Sequence, residues 1–405
     1  MALSWSWNSK SFNTSYVKMK SILYVIYTYG GNGGHYRSLL TTAGVLRDYV
    51  NVFILNIGKQ VSPIIESSSL PHDFMFFDKR NWNEVSTKIK AFVKDNRIDI
   101  IHTYDHISYC AVYSVSNQLG VPIVLTKCGG PIVKYKLICP PCENLVVFSS
   151  EDDEYFEKHE HVPHKILIPN RVTQFESDYK RIEAIITENN FKNKKIILRI
   201  GRISETYMKT IKQSINLVEV LHDFDDSYVL LLVGAIDDNN SYNKLKEIIG
   251  NIDYVYTETT PERVKDAKVI IEMSTCVIGT GRGFMEACSK NKIMFAPVAN
   301  SNFPVPVTNS NIESIARFNF SERYCVEDVV KPEDLINHAR SEPDSIKWFY
   351  DYFDINAATG KYLKFYDTLL NTHNYSKFRV FVAKKIFSVS TWSIIKPFYK
   401  YLFDK

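Results

Sequence analysis

The sequence predicts an α/β protein of two doubly wound, Rossmann-like domains that face each other across a cleft. Short apolar runs alternate with amphipathic helical patterns from residue 21 onwards. Continuous apolar strands of this kind are typical of parallel sheets covered by helices on both faces. The alternation occurs twice, interrupted by a polar and charged stretch over residues 171–194. Two such series indicate two domains, and a ligand site is expected in the cleft between them.

Each series is predicted from its apolar runs and the helical patterns that separate them. In the first series the predicted strands are Ile22–Tyr27, Val52–Leu55, Ile98–His102, Ile123–Thr126 and Leu145–Phe148, and the helices are Tyr36–Tyr49, Trp82–Asn96 and Ser108–Leu119. In the second the predicted strands are Ile196–Ile200, Tyr228–Val233, Tyr254–Tyr256, Val269–Met273 and Ile293–Pro297, and the helices are Met208–Leu221 and Pro261–Ala267.

The chain is expected to divide into five segments. A flexible, polar N-terminal tail precedes the first domain, and a returning helix and a basic aromatic tail follow the second. The predicted bounds are 1–18, 19–180, 181–345, 346–375 and 376–405. Because the first strand begins only after Met19, that residue could be a start site.

Composition favours a cytoplasmic protein with no nucleic-acid partner. Of 405 residues, 45% are hydrophobic and 23% charged, as in soluble globular proteins. The net charge of +4 is too small to indicate nucleic-acid binding. No apolar run approaches the roughly 20 residues of a membrane span, and no secretory signal is visible. Seven irregularly spaced cysteines favour reduced thiols.

The stretch from Gly279 to Ala287 is the most informative motif. It follows the apolar run Val269–Met273, expected to be a buried strand, and precedes Ala287–Ser289, expected to open the next helix. Its three glycines allow close backbone approach to a ligand, and N–H groups at a helix start favour anions. The guanidinium of Arg282 suits phosphate, and the carboxylate of Glu286 can accept hydrogen bonds from a ribose. Together they suggest a nucleotide-sugar site, while a simple tight turn is the alternative.

Four segments in order resemble family 4 glycosyltransferases, which have the two-domain GT-B architecture. The resemblance covers roughly residues 20–370, and no single segment is specific. The segments are Gly30–Arg37, with the glycine loop Gly31, Gly33 and Gly34; Ile98–His102 with Gly120–Thr126; Ile200–Ser204 with Lys209; and Gly279–Ala287. Residues 353–366 resemble the closing helix that crosses back to the N-terminal domain in this fold.

The resemblance implies transfer of a sugar from a nucleoside diphosphate sugar to an acceptor hydroxyl, with retention at the anomeric carbon. The second domain would hold the nucleotide and the first domain the acceptor. By similarity, Arg202 and Lys209 would clamp the diphosphate and Glu286 would hold the ribose. The glycines of both loops, Gly31, Gly33, Gly34, Gly279, Gly281 and Gly283, are predicted to bind the donor with Arg282. Fixed cations suit the charge that develops on a departing diphosphate.

Two positions depart from the family pattern. The family's acidic pair is Glu, seven residues, Glu, whereas Ile278 stands at the first position here and only Glu286 remains. A histidine commonly follows the strand matching Ile123–Thr126, and Cys128 takes its place. A thiol copies an imidazole hydrogen bond poorly. A hexosyltransferase-like enzyme remains the expectation, and a non-catalytic nucleotide-sugar-binding partner is an alternative.

Polar residues at strand ends of the first domain are candidates for the acceptor side. His102, Asp105 and His106 follow a predicted strand at the edge where open α/β sheets bind ligands. His102 is the candidate for proton handling, and a structural strand-end histidine is the alternative. His35, beside the first glycine loop, and Cys128 complete the acceptor-side set.

No metal or cofactor is expected. Asp223-Phe224-Asp225 spells a DxD but precedes a strand instead of following it, so a solvated turn is favoured. Cys139 and Cys142 with His159, His161 and His164 form only a weak zinc pattern. Glu272 is interpreted as a paired structural acid.

Two enzyme classes compete with the transferase. A dehydrogenase is rejected, since the first loop lacks the third glycine and the second strand ends at Asn56 without an acid. A nucleotide-sugar epimerase of the same architecture remains an alternative, distinguished by whether free nucleoside diphosphate is released.

Residues 376–405 are predicted to bind an anionic membrane surface. They contain seven Lys or Arg residues and one Asp, interleaved with large aromatics. Such a composition suits an interfacial helix, with rings at the headgroup level and cations near lipid phosphates. Packing of these aromatics against the first domain is the alternative. Membrane binding would fit a lipid-linked saccharide acceptor in cell-surface polysaccharide synthesis, at the inner face of the membrane.

Overall fold

The first of two parallel sheets is built from the N-terminal part of the chain. The structure is a computed structural model and describes residues 19–28, 33–78, 81–129, 142–159 and 162–372. The seven strands of the first sheet are all parallel, in the order β3-β2-β1-β4-β5-β6-β7. The strands are β1 (Ser21–Thr28), β2 (Asn51–Gly58), β3 (His72–Phe76), β4 (Ile100–Thr103), β5 (Ile123–Lys127), β6 (Asn144–Val147) and β7 (His164–Leu167). The helices that connect them are α1 (Gly34–Leu46), α2 (Pro63–Glu66), α3 (Trp82–Asp95), α4 (His106–Leu119) and α5 (Ser150–His159).

The second sheet has six strands in the order β10-β9-β8-β11-β12-β13, all parallel except the antiparallel edge strand β13. The strands are β8 (Lys195–Ile200), β9 (Tyr228–Val233), β10 (Val255–Glu258), β11 (Cys276–Ile278), β12 (Ile293–Ala296) and β13 (Val305–Pro306). The helices are α6 (Tyr179–Glu188), α7 (Met208–Phe224), α8 (Asn239–Ile249), α9 (Pro261–Val264), α10 (Gly281–Cys288), α11 (Ile312–Ala316), α12 (Pro332–Ala339), α13 (Ser345–Trp348) and α14 (Thr359–Thr372). Short 3-10 helices span Glu205–Tyr207, Ala267–Met273 and Ile355–Ala358, and a π-helical turn spans Phe349–Phe353.

Both sheets bury continuous apolar strands, which is why each is covered by helices on two faces. In β9 all six residues are buried, and β1 has a single half-buried residue among its eight. Helix starts are fixed by aspartates whose carboxylates accept the backbone N–H three residues on: Asp105 for α4, Asp178 for α6 and Asp238 for α8. No helix in the described ranges is long and apolar enough to cross a membrane.

Helix α14 leaves the second domain and packs on the first. Its residues Tyr362, Tyr366 and Leu369 share one face and join the core formed by β1 and α1. The hydroxyls of Tyr24 and Tyr366 are 3.1 Å apart, and Lys20 pairs with Asp367. The end of the described chain therefore completes the first domain.

One predicted strand is wrong. Val269–Met273 lies in the 3-10 helix Ala267–Met273, and the strand that precedes Gly279 is instead β11. Ile270 and Ile271 are fully buried by packing of this helix against β8 and α6, not by pairing with a neighbouring strand. Short apolar runs fit both kinds of element, so periodicity alone could not separate them.

The predicted start of the following helix is also wrong. Ala287–Ser289 end α10, which already begins at Gly281 in a left-handed conformation with φ of 48°. A Cβ at position 279 would lie 2.6 Å from the Cα of Phe284, so the strand-to-helix turn is too tight for a side chain there. Glycine is a poor helix former, which is why the sequence favoured a loop over this segment.

Candidate functional site

The carboxyl edges of the two sheets meet at the cleft. Arg282 at the start of α10 donates from Nη2 to Thr41 Oγ1 of α1, 2.9 Å away. On the other side, Arg323 makes a two-pronged ion pair with Glu151 of α5, at 2.9 and 2.7 Å. These contacts hold together the edges at which open α/β sheets bind ligands.

Two glycines shape the donor side of this cleft. Gly201 follows β8 and Gly234 follows β9, and their backbones touch. A Cβ at position 234 would lie 1.7 Å from the carbonyl oxygen of Gly201. Only glycine fits there, close to the backbone of Arg202. Gly234 was not among the predicted site residues, since an isolated glycine after a strand carries little signal.

Arg202 and Lys209, predicted to bind a diphosphate, lie in this region with exposed side chains. The Arg202 side chain is 57% exposed and pairs with Asp237 at 3.2 Å. It also donates to the hydroxyl of Tyr207 at 3.1 Å. The ammonium of Lys209 contacts the carbonyl of Ala299. Both cations therefore stand at the carboxyl edge of the second sheet and are accessible to an anion.

The side chain of Arg282 is largely buried and already hydrogen-bonded, which the sequence did not predict. Its side chain is 12% exposed, and burial lowers the pKa of the guanidinium. Besides Thr41, it donates to the carbonyl of Arg171 at 3.1 Å and to Glu286 Oε1 at 2.8 Å. With donors engaged on three sides, Arg282 ties the two domains together and is not a free phosphate ligand. The prediction of a phosphate-binding Arg282 does not fit this geometry.

Glu286 lies on α10, 7% exposed, and Arg282 occupies one of its carboxylate oxygens. Gly281 and Gly283 form the first turn of the same helix, and the backbone N–H of Gly281 donates to Asn319 O at 3.0 Å. The predicted donor-side motif is thus brought together on one helix. The carboxylate of Glu286 is held by Arg282, four residues earlier on the same helix.

On the first domain, His35 lies in the opening turn of α1, just after Gly33 and Gly34; Gly31 lies outside the described residues. Its ring packs on Tyr36, with centroids 4.1 Å apart. Burial and the nearby charge of Arg202 lower the pKa of His35 to about 4. A neutral imidazole from the first domain therefore faces a phosphate-binding candidate of the second.

His102, predicted to be catalytic, is a core residue. It is fully buried in β4, with Nδ1 2.7 Å from the hydroxyl of Tyr366 and Nε2 2.6 Å from Oγ1 of Thr126. Both ring nitrogens have partners, and α14 covers the ring from outside the sheet. The structural alternative explains this residue, and the catalytic role does not fit.

The buried ring of His102 predicts a loss of stability in acid. Burial lowers its pKa to about 3 from 6.5, so below pH 6.5 the unfolded chain binds a proton that the fold excludes. Stability therefore falls as pH decreases through this window, by about 2 kcal/mol between pH 7 and pH 5 for this one group. Urea unfolding at both pH values should show this difference for wild type relative to His102→Gln. Equal pH dependence in both proteins would contradict a neutral buried ring.

Asp105 and His106 lie at the carboxyl end of β4, where they were predicted as acceptor-side candidates. Asp105 caps α4: Oδ1 accepts from Ser108 N at 2.8 Å and Oδ2 from Tyr27 N at 2.7 Å. Burial raises the pKa of Asp105, and these hydrogen bonds oppose that shift. Since both oxygens are engaged by backbone, Asp105 positions the loops around the cleft. His106 is half-buried, and burial lowers its pKa.

The two departures from the family pattern are both in packed surroundings. Ile278 ends β11 and is 2% exposed, inside the core of the second domain. Cys128, beside β5, is half-buried with Sγ 3.5 Å from the carbonyl of Tyr104, and burial raises its pKa. A protonated thiol is thus present where the family has an imidazole.

Asn319 lies between the two domains and was not predicted from the sequence. Its backbone is left-handed, with φ of 54°. Its Nδ2 lies 3.2 Å from where a Cβ would stand at Gly129 of the first domain and 3.5 Å from the equivalent point at Gly281. Oδ1 is buried without a hydrogen-bond partner among the residues that the structure covers. No sequence pattern marks a lone asparagine of this kind.

A cavity of about 180 Å³ lies nearby between the domains. Phe148 and Pro169 of the first domain and Met285, Phe320 and Phe353 of the second contribute its apolar lining. It opens beside α10, so an apolar pocket adjoins the candidate donor side.

The acidic residues of the DxD and Glu272 have structural surroundings. The DxD lies at the end of α7 as a helix-to-strand turn, and Asp225 pairs with Lys195 at 2.8 Å. Glu272 lies 3.8 and 3.7 Å from Lys290 and Lys292. No cluster of three or more potential ligands occurs within the described ranges, which exclude Cys139 and His161.

Comparison with known proteins places the fold. No family model matches the chain, and no curated protein matches its sequence. A glycosyltransferase from Rickettsia africae matches with a TM-score of 0.61 at 18% identity, over 88% of this chain and 100% of that one. HepE from Anabaena, solved with UDP, gives 0.60 at 14% identity over 87% and 100%. A putative UDP-N-acetylglucosamine 2-epimerase from Listeria monocytogenes gives 0.53 at 11% identity over 88% and 98%.

These likenesses confirm the predicted fold class. The chain has the GT-B architecture, two Rossmann-like domains with parallel sheets, that its structural neighbours share. At identities below 20%, the likeness concerns the fold.

Proposed function

We propose that this protein is a glycosyltransferase that moves a sugar from a nucleoside diphosphate sugar to an acceptor hydroxyl. The observation that carries the proposal is the pair of exposed cations, Arg202 and Lys209, at the carboxyl edge of the second sheet. Arg202 stands beside the close-packed Gly201 and Gly234, and its charge acts on His35 of the first domain. Structural neighbours with this fold include a glycosyltransferase and a protein solved with UDP.

The chemistry of the proposed reaction matches this arrangement. A departing nucleoside diphosphate gains negative charge, and fixed cations at that point lower the barrier. The proposal keeps the finer features that the family 4 resemblance implies: a hexosyl donor, retention at the anomeric carbon, and no cofactor or metal. It also includes a lipid-linked saccharide acceptor and action at the inner face of the membrane. The predicted membrane contact of 376–405 lies outside the described residues and stays a prediction.

The direct test is a panel of nucleotide sugars screened by thermal shift, followed by turnover assays in EDTA. A ligand of the folded state raises the melting temperature by mass action. UDP-sugars are the first probes because HepE was solved with UDP. Stabilisation by a nucleotide sugar, with release of free nucleoside diphosphate when acceptor is present, supports the proposal. A panel without any stabilising ligand would refute it.

An epimerase is the second candidate, because a putative UDP-N-acetylglucosamine 2-epimerase shares the fold. It would convert its substrate without releasing nucleoside diphosphate in step with product. Donor binding with neither reaction would identify a nucleotide-sugar-binding partner, for which Ile278 and Cys128 are the motive.

Replacing Arg202 by alanine should weaken binding of UDP much more than binding of uridine. A hydrogen bond to a charged group contributes about 1.5–3 kcal/mol, so the expected loss for UDP is about tenfold to a hundredfold. Calorimetric titration of both ligands measures the difference. Arg340→Ala serves as the control, since Arg340 packs over Phe224 at the opposite edge of the same sheet. Equal losses for UDP and uridine would place the diphosphate elsewhere.

A further inference from the structure

Arg199, the arginine of β8, is buried without a counterion. It is 4% exposed, and burial lowers its pKa to about 10. Its Nη2 donates to Oγ1 of Thr210 on α7. No carboxylate in the described part of the chain lies within 4 Å of it. Tyr207 and, after it, Glu322 favour the charged guanidinium electrostatically, but neither forms an ion pair with Arg199.

An uncompensated buried charge is unusual in a protein interior. Buried charges are normally paired or bind ions, because removing a charge from water is unfavourable. Arg282 follows that rule by pairing with Glu286, and the half-buried Arg323 pairs with Glu151. Arg171 is also buried without an ion pair, but its Nη1 donates to the carbonyl of Asp354. The guanidinium of Arg199 donates to the neutral hydroxyl of Thr210, which does not balance its charge. The missing partner is therefore expected to be an anion that binds from outside the chain.

The place of Arg199 points to the same conclusion. It lies two residues before Gly201, at the carboxyl end of β8, where parallel sheets hold phosphates. A Cβ at position 201 would be 2.8 Å from Nη1 of Arg199, so the guanidinium lies against the backbone of the loop that carries Arg202. The absence of a side chain at Gly201 is what lets the guanidinium reach this point.

We propose that Arg199 binds a phosphate group, and that together with Arg202 and Lys209 it holds the diphosphate of the donor. This inference rests on the proposed function for the identity of the ligand, while the anion-binding position rests on burial and geometry. A planar guanidinium can bind two phosphate oxygens at once. Arg199 would supply a fixed, desolvated cation beneath the loop, whereas the exposed Arg202 and Lys209 would close over the ligand.

A purely structural role makes a different prediction. If Arg199 only secured the first turn of α7 through Thr210, its removal would lower stability and leave phosphate binding unchanged. If its charge awaits an anion, replacement by methionine removes an uncompensated buried cation, so the ligand-free protein should melt at the same or a higher temperature. Ligand binding should then fall although stability does not.

The experiment compares wild type, Arg199→Met, Arg199→Lys and the control Arg340→Met in the full chain. Each protein is titrated calorimetrically with UDP, uridine and inorganic pyrophosphate, and melting temperatures are recorded without ligand. Arg199→Met should weaken UDP and pyrophosphate about tenfold to a hundredfold and leave uridine unchanged. Arg199→Lys, which keeps the charge but not the planar fork, should give a smaller loss. Arg340→Met should behave as wild type.

The outcomes separate the inference from the proposed function. If wild type binds UDP and both Arg199 variants bind it equally well, the inference is overturned and the proposed function stands. If pyrophosphate binds in an Arg199-dependent way but no nucleotide sugar binds, the anion site stands and the glycosyltransferase proposal fails. An equal loss of uridine and UDP in the folded Arg199→Lys protein would show a general disturbance of the site and overturn the inference.

Discussion

Replacing Gly234 by alanine is expected to lower the free energy of unfolding by about 3 kcal/mol or more, since one added methyl group overlaps a backbone oxygen. The new Cβ would stand 1.7 Å from the carbonyl of Gly201, and backbone cannot rotate away as a flexible side chain can. The loops after β8 and β9 would have to separate. Because they frame the candidate diphosphate position, UDP binding should fall with stability. Urea unfolding and calorimetric titration measure both effects.

Gly44→Ala is the matched control. Gly44 lies inside α1, and apart from the neighbouring helix backbone no atom lies within 4 Å of the added Cβ. Alanine is the better helix former, so this variant should gain about 0.5–1 kcal/mol. Similar unfolding curves for the two variants would mean that the close approach of Gly201 and Gly234 does not exist in solution.

Removing Arg282 is the second substitution with a large expected effect. Arg282→Met leaves the carboxylate of Glu286 buried without its partner, and breaking a buried pair in this way costs about 3–5 kcal/mol. The double variant Arg282→Met/Glu286→Met removes both charges and should recover most of that loss. The interaction energy from this double-mutant cycle, measured by urea unfolding, reports how strongly the pair is coupled.

The exposed pair of Arg317 and Glu154 provides the comparison. Their side chains are 51% and 43% exposed, so Arg317→Met should change stability by less than about 1 kcal/mol. Both arginines contact the first domain, Arg282 at Thr41 and Arg317 at Glu154, but only the ion pair of Arg282 is buried. An Arg282→Met protein no less stable than Arg317→Met would show that the Arg282 pair is solvated.

The sequence predicts the architecture well because the signal is repeated. Nearly every long apolar run is a strand, and the alternation with helices gives both sheets. The failure at Val269–Met273 comes from a run too short for periodicity to assign. The error in the predicted start of α10 comes from tertiary packing. The close contact with Phe284 requires glycine at position 279, and the glycines of this segment lower its helix propensity.

Site residues are harder to predict because their roles depend on distant partners. His102 stands at the carboxyl end of a strand, where cleft residues are expected, yet Tyr366, 264 residues later, covers its ring. Arg282 stands in the right motif, but its donors are taken by Thr41 and by the carbonyl of Arg171, 241 and 111 residues away. Arg199 is not recognisable in the sequence, because its burial without a carboxylate partner appears only in the folded chain.

The return of α14 to the first domain has a consequence for how the chain is made. Lys20 and Asp367 are 347 positions apart, and Tyr362, Tyr366 and Leu369 belong to the same core as β1. A ribosome therefore releases the whole of the first sheet long before the helix that closes it. Until then, the face of β1 and α1 that α14 covers stays open, and exposed apolar surface of this kind makes folding intermediates prone to aggregation. Completion of the first domain must wait for synthesis of the second.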